Sequence, residues 1–167
     1  MRIFFRVALA LTFAALAACS SPDTDARVDA TSAVRGPDFL PVADLLADRC
    51  GSLECHGSKY RNMHLFGFGG SRLLPTDLPN TQATTLAEAE ATYEAVVSLE
   101  PAKFRQVIAE GGASPERLTF YRKGLLLEAH KGTQKIVPGD PADVCLRSWL
   151  ASRIDAAACA AGITRIQ

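Results

Sequence analysis

Apolar residues from Pro37 onward recur mostly at the three- and four-residue intervals of an α-helix. No convincing stretch alternates apolar and polar residues with the two-residue period of a strand. Prolines and capping residues open the helical segments, and glycines close several of them. The predicted helices are 41–49, 85–99, 101–108, 114–127 with a weak point at Gly124, 140–154 and 156–161. The pattern therefore predicts a mainly α-helical domain over residues 37–167.

Two of the predicted helices begin with a specific capping signal. Thr85 and Glu88 have the spacing of a capping box, in which each side chain bonds the other residue's backbone N–H. Ser114 is predicted to cap the helix that follows it by accepting a hydrogen bond from the first turn. We expect Glu88, Glu90 and Glu94 to lie together on a solvated helix face.

Residues 57–81 have no helical period and are predicted to form a long, glycine-rich loop. Loops of this length inside a compact domain are usually functional or wrapped around another group. This one carries Tyr60, Phe66 and Phe68, which favour an apolar environment. We expect these side chains to lie against an apolar face, which is either the protein core or a bound cofactor.

The N-terminus is predicted to be a targeting segment followed by a tether. Residues 1–18 combine a basic start with an apolar run too short to be trusted as a membrane span. The small residues that lead into Cys19 resemble the lipobox of bacterial lipoproteins, in which that cysteine becomes the lipidated N-terminus; an ordinary secretory signal is the alternative. Ser20 favours the outer membrane in such sorting. Residues 19–36 are then the lipidated cysteine and a flexible tether facing the periplasm.

Charge and cysteine content narrow the classes of function. The chain has 18 basic and 18 acidic residues and no basic stripe, so nothing indicates a nucleic-acid partner. Four cysteines remain besides Cys19, an even number in a compartment where disulfides persist. We expect Cys145 and Cys159 to form a disulfide that holds the C-terminus to the last long helix, which would stabilise the fold by about 3 kcal/mol. The motifs of hydrolases are absent, so no enzymatic activity is expected.

The run from Cys50 to His56 carries the chemistry of covalent haem attachment. Two thiols followed directly by a histidine can add to the porphyrin vinyl groups and supply an axial imidazole to the iron. The usual spacer has two residues and this one has four, so the same reach needs a bulged loop. Gly51 and Ser52 suit such a loop.

Three short motifs together resemble the small cytochrome c domains of planctomycete and myxobacterial secreted proteins. They are His56-Gly57, the segment Gly69-Gly70-Ser71-Arg72-Leu73, and the turn Pro138-Gly139-Asp140-Pro141 that opens the helix with Cys145. The resemblance spans roughly residues 40–155. It implies a cytochrome c-like helical fold, one covalent haem c, single-electron transfer and a redox partner protein.

The resemblance also implies roles for individual residues. Cys50 and Cys55 would form the thioethers, His56 would be the proximal iron ligand, and Arg72 would pair with a haem propionate. The methionine that often serves as the second axial ligand is missing toward the C-terminus. We favour His130 for that position, with His64, Met63 or an open site as alternatives.

Two readings without haem stay open at this point. In the first, Cys50 and Cys55 form a second disulfide, and the chain is a haem-free lipoprotein with a structural or interaction role. In the second, Cys50, Cys55, His56 and one further histidine bind zinc. The adjacency of Cys55 and His56 favours haem, because a plain disulfide does not need a neighbouring histidine.

Overall fold

A computed structural model describes residues 33–164, and five of the six helices predicted from the sequence are present in it as single helices. Cys19, the predicted signal segment and most of the predicted tether lie outside these residues. Short 3-10 turns occupy Gly36–Phe39 and Pro115–Arg117. The α-helices are α1 Leu40–Cys50, α2 Leu86–Val97, α3 Pro101–Ala109, α4 Thr119–Gly124, α5 Pro141–Leu150 and α6 Ala156–Gly162. The one β-type pairing among the described residues is an isolated bridge between Phe66 and Ser71, so the mainly α-helical class is confirmed.

The predicted helix at 114–127 differs most from the structure. It is split into a 3-10 turn and the short helix α4, which ends at the predicted weak point Gly124. Ser114 makes no side-chain cap, because its backbone is left-handed with φ 49° and does not aim its hydroxyl at the first turn. The capping box between Thr85 and Glu88 is present in full.

The core is built around Trp149 of α5, whose side chain is fully buried. Its ring centre lies 4.9 Å from that of Phe39, 5.3 Å from that of Phe104 and 6.4 Å from that of Phe120. The indole N–H donates to the carbonyl of Val34 at 3.0 Å, which satisfies the one polar atom of the side chain. The cluster packs the 3-10 turn Gly36–Phe39, α3 and α4 against α5. The hydrogen bond to Val34 also holds residues 33–35 against the domain.

The C-terminal helix α6 is attached to the core by a disulfide and by close packing. Cys145 and Cys159 are bonded, as predicted, and both are fully buried. A side chain on Gly162 would collide with Leu45 and Ala142, since a Cβ there would lie 2.8 Å from the Leu45 Cδ1 atom. The helix pair α5 and α6 therefore packs directly on α1.

The expected solvated position of Glu88 is wrong. Its side chain is fully buried and accepts hydrogen bonds from Arg72 Nε at 2.7 Å and from the backbone N–H of Leu73 at 3.1 Å. Glu90 and Glu94 are more exposed and pair with Arg35. The buried carboxylate thus ties the glycine-rich loop to the start of α2.

Two threonines attach the same loop to the helical core. Thr92 accepts from the backbone N–H of Phe66 at 2.9 Å, and Thr84 accepts from that of Phe68 at 3.1 Å. Within residues 33–164, no helix has the length and apolarity needed to cross a membrane.

Candidate functional site

The four residues between Cys50 and Cys55 form a compact loop at the C-terminal end of α1. The backbone N–H of His56 donates to the Cys50 carbonyl at 3.0 Å, so the chain returns to the helix end. The N–H groups of Cys55 and Gly57 both donate to the Ser52 carbonyl, at 2.8 and 2.9 Å. The extra residues are accommodated by this turn, which is the bulged loop that the spacing predicted.

Two glycines allow the loop to pack on its neighbours. A Cβ atom on Gly57 would lie 2.2 Å from the Gly51 carbonyl oxygen, and one on Gly70 would lie 2.1 Å from the same atom. Any side chain at either position would force the backbones apart. The glycine-rich segment around Gly70 is therefore positioned directly against the Cys50–His56 turn.

The imidazole of His56 is held in one tautomer. Its Nδ1 atom lies 2.9 Å from the carbonyl oxygen of Met63, and a carbonyl accepts hydrogen bonds only, so Nδ1 carries the proton. The Nε2 atom is then unprotonated and free to bind a metal ion, as in most metal-binding histidines. The hydrogen bond from the Leu65 N–H to the His56 carbonyl, at 2.7 Å, fixes the surrounding backbone.

The surroundings of His56 also keep its ring neutral. Burial lowers its pKa from the ordinary value of 6.5, and this effect exceeds the opposing influence of the Met63 carbonyl. Positive charge from His130, Arg61 and Lys123 lowers the pKa further. A neutral imidazole is the form that binds metals, so His56 is prepared for that role near neutral pH.

His130, which the sequence favours as a second axial ligand, lies beside His56. The two ring centres are 6.0 Å apart and the ring planes differ by 14°. The His130 Nδ1 atom is buried without a hydrogen-bond partner in the described protein. The His64 Nε2 atom also lacks a partner, so the His130 nitrogen differs from it only in belonging to a residue that lines the same pocket as His56.

Two backbone hydrogen bonds close the loop that carries His130. The Gly124 carbonyl at the end of α4 accepts hydrogen bonds from the N–H groups of Lys135 and Ile136, at 2.9 and 3.1 Å. Gly132 packs against the imidazole, since a Cβ there would lie 2.8 Å from the ring Cε1 atom. These contacts position the His130 ring without bonding its Nδ1 atom.

The two histidines face a pocket of about 440 Å³. This volume falls in the range of small-molecule and cofactor sites, about 300–1,000 Å³. Cys50, Met63, Leu99 and Phe120 supply much of its apolar lining. The pocket therefore combines a thiol, two imidazoles and apolar walls.

The other thiol is close to the pocket without lining it. Cys50 and Cys55 are both free and partly buried. Burial raises the pKa of the Cys50 thiol to about 11, so this thiol is protonated at neutral pH.

Three further predicted site residues have distinct positions. Arg72 does not line the pocket; its guanidinium is buried against Glu88. His64 does not line the pocket either, and its ring lies 4.1 Å from the ring centre of Phe66. Met63 lines the pocket and also holds His56 through its carbonyl oxygen. Of the alternatives for a second axial ligand, His130 is the one paired with His56.

A preformed site of another metal type is not found in the described chain. Among residues 33–164, no group of three or more histidine, cysteine, aspartate or glutamate side chains converges on one point. Structural zinc needs four such ligands, so these residues offer no assembled zinc site. A haem iron takes only its axial ligands from the protein, so the absence of such a group of side chains says nothing about a haem site.

Sequence reasoning missed the cationic lining of the pocket. Arg61, Lys123 and Lys135 all line it, although they come from the glycine-rich loop, α4 and the segment after His130. The closeness of Lys135 to His130 in the sequence could have indicated that both line one pocket. No sequence pattern pointed to Arg61 or Lys123.

Comparison with known proteins identifies no relative: no family model, no curated protein and no solved structure matches this chain.

Proposed function

We propose that this chain is a lipid-anchored, extracytoplasmic c-type cytochrome-like protein that transfers single electrons through one covalently attached haem. The observation that carries the proposal is the pairing of His56 and His130 in one pocket, with ring centres 6.0 Å apart. Two imidazoles that line one pocket could both serve as ligands of an iron bound there.

The residues around the pocket fit a haem in three further respects. The His56 Nε2 atom is unprotonated and free, and the buried His130 Nδ1 atom lacks a partner. Cys50 lines the pocket, and Cys55 is a second free thiol on the compact turn that ends at His56. The apolar walls lower the polarity of the environment, which tunes the potential of a bound iron.

Each residue then has a defined part. Cys50 and Cys55 would hold the porphyrin through thioether bonds, and His56 and His130 would bind the iron. The haem, when bound, supplies a one-electron iron couple. Two histidine ligands favour a lower potential than a histidine–methionine pair. The Met63 carbonyl orients His56 and increases the basicity of its Nε2 atom.

The test is to express the full mature chain in a bacterial periplasm together with haem maturation proteins. We expect a Soret band that survives acid–acetone extraction and an intact mass increased by one haem. A matched chain with Cys50→Ser and Cys55→Ser should lose the extraction-resistant band. The proposal fails if the unmodified chain shows no Soret band and a mass reduced by the hydrogens of two disulfides, which would indicate the haem-free lipoprotein.

The lipid anchor has a separate test. In the chain with Cys19→Ser, we expect the protein to leave the membrane fraction, whereas the unmodified chain should remain there and carry the added mass of acyl chains on its N-terminal peptide. Equal distribution of the two chains between fractions would contradict the lipoprotein assignment without bearing on the haem.

A further inference from the structure

The pocket shared by His56 and His130 is strongly positive for a protein of balanced charge. Three cations line it, Arg61, Lys123 and Lys135, and no carboxylate of the described chain does. The whole chain has equal numbers of basic and acidic residues, so this is a local excess of positive charge. A pocket lined by one sign of charge attracts ligands of the opposite sign.

The cations are largely uncommitted to other partners. Arg61 and Lys135 make no ion pair with an acid in residues 33–164. Lys123 lies 3.7 Å from Glu128, and both side chains are more than a third exposed, so this pair is weak. Their charges remain available for a ligand in the pocket.

The three cations line the same pocket as His56 and Cys50, the groups that would hold the haem. Arg61 and Lys123 contribute to the lowered pKa of His56. Lys135 opposes the rise in the pKa of the Cys50 thiol that burial causes. The positive charges that line the pocket therefore act on both the His56 imidazole and the Cys50 thiol.

Arg72, the arginine favoured from the sequence, is already saturated. Its Nε and Nη2 atoms donate to Glu88 at 2.7 and 2.9 Å. Its remaining donors reach the carbonyl oxygens of Gln82 and Ala83. Binding another carboxylate would leave Glu88 buried and unpaired, which is costly.

We propose that Arg61, Lys123 and Lys135 bind the two propionate carboxylates of a tetrapyrrole, so that the pocket selects a planar ligand with two free acids. This inference rests on the proposed function and assigns the carboxylate-binding residues of the same site. Charge-assisted hydrogen bonds from lysine and arginine supply the selectivity. The apolar walls formed by Met63 and Phe120 face the ring system.

The experiment compares iron-free protoporphyrin IX with its dimethyl ester. Neither ligand has iron for the histidines to bind, and the two differ only in their carboxylates, so the difference in affinity reports carboxylate recognition alone. The protein is the full mature chain exported to a periplasm without haem maturation proteins. Binding is measured by absorbance and fluorescence titration.

We expect the diacid to bind about 10–100-fold more tightly than the ester, the range that charge-assisted hydrogen bonds give. In the triple variant Arg61→Gln, Lys123→Gln, Lys135→Gln the two affinities should converge. A control with Arg105→Gln, Lys131→Gln and Arg153→Gln removes the same net charge at exposed positions outside the pocket and should keep the preference.

A salt titration of the unmodified chain tests the inference without any substitution. The affinity for the diacid should fall with rising ionic strength, and that for the ester should not. Equal affinities for the two ligands, or a preference that survives in the folded triple variant, would overturn the assignment of these cations and leave the covalent-haem test unaffected. If neither ligand binds, the tetrapyrrole pocket itself is overturned, and the spectrum of the matured protein then tests the proposed function separately.

Discussion

The ring centre of His130 lies 6.0 Å from that of His56. The two residues belong to loops that α2, α3 and α4 separate along the sequence. The His56 loop is closed on the end of α1, and the His130 loop is closed on Gly124. These backbone hydrogen bonds hold the two loops against the helices. The fold therefore brings His130, and not His64, to the pocket that His56 lines.

Replacing this histidine should change the ligation of the iron and leave its attachment intact. In the matured protein with His130→Ala, we expect the extraction-resistant Soret band to remain, because Cys50 and Cys55 are unchanged. The visible spectrum should shift to that of a five-coordinate or water-ligated haem and respond to added imidazole. The matched control is His64→Ala, which removes a histidine that does not line the pocket and should leave the spectrum unaltered. The opposite pattern would make His64 the ligand.

The reactivity of Cys50 should report its burial in the haem-free chain. Because burial raises its thiol pKa from the ordinary 9.0 to about 11, the thiolate fraction near pH 8 is about 100-fold smaller than for an ordinary cysteine. Alkylation by iodoacetamide should be correspondingly slow and accelerate about tenfold per pH unit up to that pKa. Peptide mass spectrometry measures the rate at Cys50 directly. Complete resistance that disappears on reduction would instead show a Cys50–Cys55 disulfide.

Loss of the buried ion pair at the start of α2 should destabilise the domain. In Glu88→Gln, the buried guanidinium of Arg72 loses its charged partner, which we expect to cost about 3 kcal/mol in the free energy of unfolding. Glu90→Gln removes an ion pair of the same helix whose carboxylate side chain is 38% exposed, and it should cost less than about 1 kcal/mol. Urea unfolding of the two variants makes the comparison. Equal losses in the free energy of unfolding would mean that the buried Glu88–Arg72 pair stabilises the domain no more than the exposed Glu90–Arg35 pair does.

The disulfide between Cys145 and Cys159 should make stability depend on redox conditions. On a haem-free background with Cys50→Ser and Cys55→Ser, a reductant can act on this bridge alone. We expect reduction to lower the free energy of unfolding by about 3 kcal/mol, since the bridge closes a short loop in the unfolded chain. The further double variant Cys145→Ala, Cys159→Ala should be insensitive to the reductant. Identical unfolding curves with and without reductant on the parent background would exclude a stabilising role.

Local sequence determined the helical class, most helix boundaries and the form of the Cys50–His56 turn. Apolar periodicity and capping depend on neighbouring residues, so the Thr85–Glu88 capping box could be recognised directly. The pairing of Cys145 with Cys159 could also be predicted, because the two lie close in the chain on adjoining helices.

Only the tertiary structure decided which distant residues meet. Glu88 was assigned to a solvated face from its position on the helix, and the glycine-rich loop covers that face and supplies Arg72. The position of His130 beside His56 in one pocket, and the meeting of Arg61 with Lys135 there, depend on how loops fold back onto the helices. Such contacts arise from packing between segments far apart in the chain, and no local spacing encodes them.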